Sequence, residues 1–126
     1  MGKRCLIDTN VLIDGQSGRL SEESAKRLAE IINESFTISV ISYIEFLGYK
    51  HATSSMEDFI GLADLITLDK KIITTTIDIR KNHRIKLPDA MIAATGIAHD
   101  FTLVTRNIND FNAIPDLSIE NIYDTN

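Results

Sequence analysis

The chain has 126 residues, 44% of them hydrophobic and 25% charged, with two prolines and six glycines. That length suits one domain of ordinary size, and the balance excludes a disordered or collagen-like chain. A net charge of -5 and a pI near 5.1 argue against binding nucleic acid through a generally basic surface, while leaving room for a local basic edge.

The N-terminal stretch "MGKRCLIDTN" lacks the apolar core of a signal peptide, and no later apolar run is long enough to span a membrane, so a cytoplasmic protein is expected. "RCLID", residues 4–8, predicts a short buried strand ending at Asp8, with Cys5 packing as a small hydrophobe. "TNVLID" would then start a short helix. "SEESAKRLAEIINES" opens on Ser21 as a cap and repeats Ala25, Leu28, Ala29 and Ile32 at helical spacing. "FTISV", residues 36–40, is β-branched and aromatic and predicts a second strand, after which "SYIEFLGYK" returns to helical character. A helix follows from Ser54 or Ser55 through Leu65, weakened by Gly61. In "ITLDKKIITTTIDIRKNHRI" the many Ile and Thr residues favour strand, while Ile72, Ile73, Thr76, Ile77 and Arg80 keep a helical period. A short strand and then a helix is the expectation. A proline-headed helix runs from Pro88 to about His99, "FTLVT" at 101–105 is a last buried strand, and "LSIENI" offers an edge.

Strands alternating with helices predict a single-domain three-layer α/β/α sandwich over residues 1–126, with a mainly parallel central sheet. Ligands of such sheets sit beyond the carboxyl ends of the strands. Asp8 closes the first strand; Glu45 follows the second; Asp89 heads the helix after Pro88; Asn107 and Asp110 follow the last strand. Each has an ordinary explanation. Asp8 reads as a turn or cap residue, Asp89 as an acid meeting a helix dipole, and Ser42-x-x-Glu45 as a capping box. Acids at the same edge of one sheet nevertheless suit a hard divalent cation such as magnesium, which takes oxygen ligands and serves in-line phosphoryl displacement. Zinc fits worse, because His51, His83 and His99 lie far apart and no His or Cys pair is close. A glycine-rich phosphate loop and a serine elbow are absent from the sequence.

With those positions in place, the chain resembles the PIN-domain ribonucleases, most closely the VapC-like toxins of toxin-antitoxin pairs. The resemblance spans nearly the whole length and rests on "LIDTNVLID", "SYIEFLGY", "LPDAMIAATGIAHDFTLVTRN" and "NDF". It implies a compact parallel-sheet fold whose clustered acids bind magnesium or manganese and cleave RNA. Asp8 and Asp89 would be the central metal ligands and Glu45 the acid of the second strand's helix. Where many members carry aspartate after the last strand this chain has Asn107, with Asp110 one helical turn away, so either fills the fourth place. Thr105, with Asn10 and Ser42, would orient these ligands. The resemblance also implies a homodimer and an antitoxin that occupies the acidic groove.

Arg80, Lys81, Arg84 and Lys86 form the dense cationic cluster, "RKNHRIK". A solvated helix end is the ordinary reading of such a run and an RNA phosphate track the sharper one, with Arg106 a further candidate contact. Two rivals remain. An aspartate-based phosphatase would need a second aspartate where Asn10 stands, and a receiver domain would need a late Lys-Pro, which is absent. A catalytically weak PIN-like binding module is the other, with Asn107 as the mark of a decayed site.

Overall fold

The structure is a computed structural model that describes residues 4–123. Among these, the order is β1 (Cys5–Ile7), α1 (Thr9–Gln16), α2 (Glu22–Glu34), β2 (Thr37–Ser39), α3 (Val40–Leu47), α4 (Ser54–Ile60), β3 (Asp64–Ile66), α5 (Lys70–Asn82), α6 (Leu87–Ala98), β4 (Thr102–Val104), α7 (Ile108–Phe111) and β5 (Ser118–Glu120). All the strand pairs are parallel: β1 with β4, β4 with β5, and β2 with β3. The hydrogen-bonded ladders form two sheets, β1-β4-β5 and β2-β3, and because β1 lies against β2 the strands stand side by side as β3-β2-β1-β4-β5. The chain leaves β1 toward one edge and later returns to its other side at β4. The reversal falls at the carboxyl ends of β1 and β4, the place where α/β sheets hold ligands.

The period-two alternation of strand side chains divides the core into two layers. Cys5 and Ile7 of β1 face one side, with Val11 and Leu12 of α1, Leu28 and Ile31 of α2, and Phe46 of α3. Leu6 faces the other, with Ile72 and Ile79 of α5, Leu103 of β4, and the run Ile92, Ala93 and Ala94 of α6. Helices therefore cover both faces, as the alternating sequence predicts. The small side chains of α6 let it lie close to the sheet, and this fixes the helix that carries Asp89.

Three local departures have plain causes. The helix beginning at Ser54 stops at Ile60 with Gly61 as its C-cap, and Leu65, expected as helix, sits in β3. That strand is a mostly exposed edge and so lacks the apolar run that would mark it. Val40, expected as strand, opens α3 because Ser39 accepts the Ser42 N–H and caps the helix there. The Thr-rich segment is helical as expected over α5: the hydroxyls of Thr74, Thr75 and Thr76 each donate to the carbonyl four residues back. Ile72, Thr76 and Ile79 bury one stripe.

Leu103 is fully buried between the sheet and α6. Leu103→Ala should lower the free energy of unfolding by about 2–5 kcal/mol, measured by urea denaturation at unchanged far-UV circular dichroism.

Candidate active site

Asp8 sits where β1 becomes α1. Its backbone N–H donates to the Val104 carbonyl at 2.9 Å, which holds the turn against β4. Its Oδ1 accepts from the Thr9 N–H at 2.8 Å and caps α1. Its Oδ2 accepts from the Thr105 hydroxyl at 2.8 Å, and that hydroxyl in turn accepts the Asn107 N–H at 3.0 Å. Only 4% of Asp8 is exposed. Burial pushes its carboxyl above the ordinary value, against the Thr105 and Thr9 hydrogen bonds, and the negative charges of Asp89 and Glu45 push the same way.

Glu45 comes from α3, where its Oε1 accepts the Thr9 hydroxyl at 2.7 Å. The expected capping box of Ser42 and Glu45 does not form, because the cap is Ser39. Glu45 is thereby released from its ordinary helix role and reaches across to the first turn of α1. Ser42 is buried and turned to Ser39, with their hydroxyls 3.4 Å apart. Asn10 lies in the first turn of α1, half-buried beside Thr9.

Asp89 stands in the first turn of α6, but the N-cap is Lys86 and no side chain caps this helix. An acid serving only as helix punctuation is stabilised in its charged form. Asp89 instead is pushed above its ordinary value, first by burial and then by the charges of Asp110 and Glu45, with Lys86 opposing. Asp110 is exposed in α7, and Asn107 is the half-buried residue before it. The structure thus brings Glu45 and Asp89 within electrostatic reach of Asp8, and Asp110 and Glu45 within reach of Asp89, with Asn107 tied through its backbone to the hydroxyl that holds Asp8.

The cationic cluster lies beside these acids. A cleft of about 600 Å³ is lined by Arg80, His83, Arg84 and Lys86 together with Asp89 and Asp110. Lys81 lines a neighbouring hollow. Arg106 departs from this cluster, since its Nη1 donates to Asp14 Oδ2 at 2.9 Å. Asp14 is a buried residue that sequence reasoning missed. It also accepts from the Tyr123 hydroxyl at 2.6 Å, which with burial pushes the Tyr123 phenol upward. Its two donors lie 92 and 109 positions along the chain, so no local pattern announces the contact. Thr9 was missed likewise, although its place directly after a strand-ending acid is a usable signal.

All the converging groups offer oxygen, the donor set of magnesium or manganese. They do not form a closed cage: among the described residues, no three His, Cys, Asp or Glu side chains are grouped tightly enough to hold an ion by themselves. Oxygen donors spread in this way fit a hydrated divalent ion, which keeps several of its waters.

Residues 5–117 match the PIN domain family. The chain belongs to that family. A chain of a toxin-antitoxin complex from Klebsiella pneumoniae shares 32% identity with this PIN domain at a TM-score of 0.76, over 94% of this chain and 98% of that one. A chain of VapBC2 from Rickettsia felis, solved bound to a DNA fragment from their promoter, shares 26% at a TM-score of 0.77, over 93% and 97%. A chain of DNA-bound VapBC from Salmonella typhimurium shares the fold at 22% identity and a TM-score of 0.78, over 96% and 99%. This PIN domain is VapC-like, in a toxin-type nuclease family. No curated protein matches the sequence significantly.

The raised Asp8 carboxyl has a consequence for stability. The folded state holds its proton more tightly than the unfolded state, so this group's contribution is fully present below the unfolded value, 3.8, and is lost as pH rises through the folded value. Without divalent ions, the Tm of the parent relative to that of Asp8→Asn should therefore rise as the pH is lowered through that window. Thermal scans of both proteins in EDTA across pH check this.

Proposed function

We propose that this PIN domain is a magnesium- or manganese-dependent endoribonuclease and the toxin of a toxin-antitoxin pair. The observation that carries the reading is that the fold buries Asp8 at the end of β1 and fixes its direction through Thr105 and Thr9, with Glu45 and Asp89 near enough for their negative charges to repel its own. A divalent ion between them would relieve that repulsion. Bound there, it would supply an activated water and neutralise charge on the leaving oxygen of an in-line phosphodiester displacement.

The chain's own residues have the remaining roles. Asp8 and Asp89 hold the ion, with Glu45 beside them and Asp110 or Asn107 completing the site on the α7 side. Thr105 fixes which way the Asp8 carboxylate points, through the 2.8 Å bond to Oδ2. Arg80, Arg84 and Lys86 line the cleft that Asp89 and Asp110 close, and they would hold the RNA backbone against an otherwise acidic protein. The toxin-antitoxin complexes among the structural relatives support an antitoxin as partner. A homodimer is supported by an apolar groove lined by Leu68, Ile73, Ile77, Leu87 and Met91; Ile73 and Ile77 are 50% and 52% exposed. Among the described residues no helix is long and apolar enough to cross a membrane, and the reading places the protein in the cytoplasm.

A second reading, a catalytically weak RNA- or protein-binding module, draws on Asn107 standing where an acid would and on the open arrangement of the carboxylates. An aspartate-based phosphatase has less support, because Asn10 occupies the place of its second acid.

Incubating antitoxin-free protein with a mixed RNA pool, transfer RNAs included, in magnesium, manganese or EDTA separates these readings. Metal-dependent cleavage should appear, Thr105→Val should lower it about 10–100-fold, and Asp89→Asn should lower it further. Cleavage in EDTA, or an Asp89→Asn variant as active as the parent, would contradict the proposal.

Reversing the charges of Arg84 and Lys86 should weaken RNA binding and flatten its salt dependence. The slope of log K against log salt should fall by about 0.7 for each single-strand phosphate no longer neutralised, read by fluorescence anisotropy with Asp89→Asn protein.

A further inference from the structure

Asp110 and Asn109 belong to two cavities at once. On one side they close the cationic cleft; on the other they line a second pocket of about 360 Å³ with Arg106, Asn107 and Asn121. The chemistry of the two differs. The first presents positive charge for a phosphate backbone. In the second, the guanidinium is already paired with buried Asp14, Asp110 repels anions, and the remaining polar groups are three carboxamides.

A carboxamide offers donors and an acceptor in one plane, the complement of a nucleobase edge. Single-stranded RNA is read through unstacked bases that hydrogen-bond at their edges and stack on planar groups, guanidinium included. Part of this pocket's wall, the Arg106 and Asn121 side chains and the Asn107 backbone, is held before any ligand arrives. Arg106 is fixed by Asp14 at 2.9 Å, and Asn107 by its N–H to Thr105 at 3.0 Å. Asn121 Oδ1 accepts the Tyr123 N–H at 2.9 Å, and the Tyr123 hydroxyl donates to the same Asp14 at 2.6 Å. Fixed partners lose little freedom on binding, which is what base discrimination requires.

We propose that the pocket lined by Arg106, Asn107, Asn109 and Asn121 is a base-reading subsite, taking one nucleobase of single-stranded RNA next to the backbone held by Arg80, Arg84 and Lys86 in the adjoining cleft. Asp14 is its positioning residue, holding Arg106 and Tyr123 together. The subsite rests on the nuclease reading for its substrate and gives that reading a source of sequence preference.

Two measurements on the full chain test it. In EDTA, ¹⁵N-labelled protein is titrated with each of the four ribonucleoside 5′-monophosphates and with ribose 5-phosphate. The side-chain NH₂ signals of Asn107, Asn109 and Asn121 should shift with at least one nucleotide and not with the base-free sugar phosphate; no shift, or equal shifts with both, overturns the subsite. In magnesium, cut positions in a randomised RNA pool are sequenced for the parent, Asn121→Asp and Asn109→Ala. Asn121→Asp keeps the acceptor that Tyr123 uses and removes the donors. The ratio of cutting between preferred and disfavoured bases at one nucleotide beside the cut should fall roughly fivefold for each hydrogen bond removed, whatever the overall rate. A parent without base preference, or variants with its unchanged profile, overturns the subsite. If no RNA is cut under any condition yet the shifts depend on the base, the nuclease reading fails and the base site stands.

Discussion

The hydrogen bond from Thr105 to Asp8 joins the two strands on which everything else turns. It holds a buried carboxylate at the carboxyl ends of β1 and β4, where the order of the strands reverses. Burying a charge without a full set of partners is costly, and Thr9 and Thr105 satisfy the oxygens without neutralising them. The carboxylate is therefore fixed in direction and left in need of a cation.

The other acids gather by separate routes, Glu45 and Asp89 at Asp8 and Asp110 at Asp89. Glu45 arrives because Ser39, not Ser42, caps α3, leaving the glutamate free to accept from Thr9. Asp89 arrives because the alanines of α6 pack that helix closely on the sheet. Asp110 follows from the short turn after β4, whose Asn107 N–H is bound to Thr105. The fold concentrates like charge at one edge and places the cationic end of α5 and its following loop along the adjoining cleft.

The layered parallel architecture was legible because apolar runs and helical periods alternate along the chain, and because Asp8 and Asp89 sit at boundaries those runs define. The strand at Asp64–Ile66 was legible only in part: a short strand is expected from Ile66 onward, whereas Asp64 and Leu65 read as the end of a helix because an exposed edge carries no apolar signature. The capping of α3 was misassigned because Ser39 and Ser42 both fit a cap by composition, and only the backbone decides between them. Asp14 was invisible for a different reason: its meaning lies in Arg106 and Tyr123, which reach it only in three dimensions. That contact also alters the reading of Arg106, which sequence alone placed among RNA-facing cations. The carboxylates were legible as a set, whereas their degree of openness was not, because it depends on side-chain directions that spacing does not contain.

The most direct test of the central claim is the anomalous scattering of manganese in crystals of the protein soaked with that ion. The account expects a peak between Asp8 and Asp89, at about 2.0–2.2 Å from a carboxylate oxygen of each and with waters completing the shell. A well-ordered site with no peak there, or a peak that persists in Asp8→Asn crystals, would contradict it.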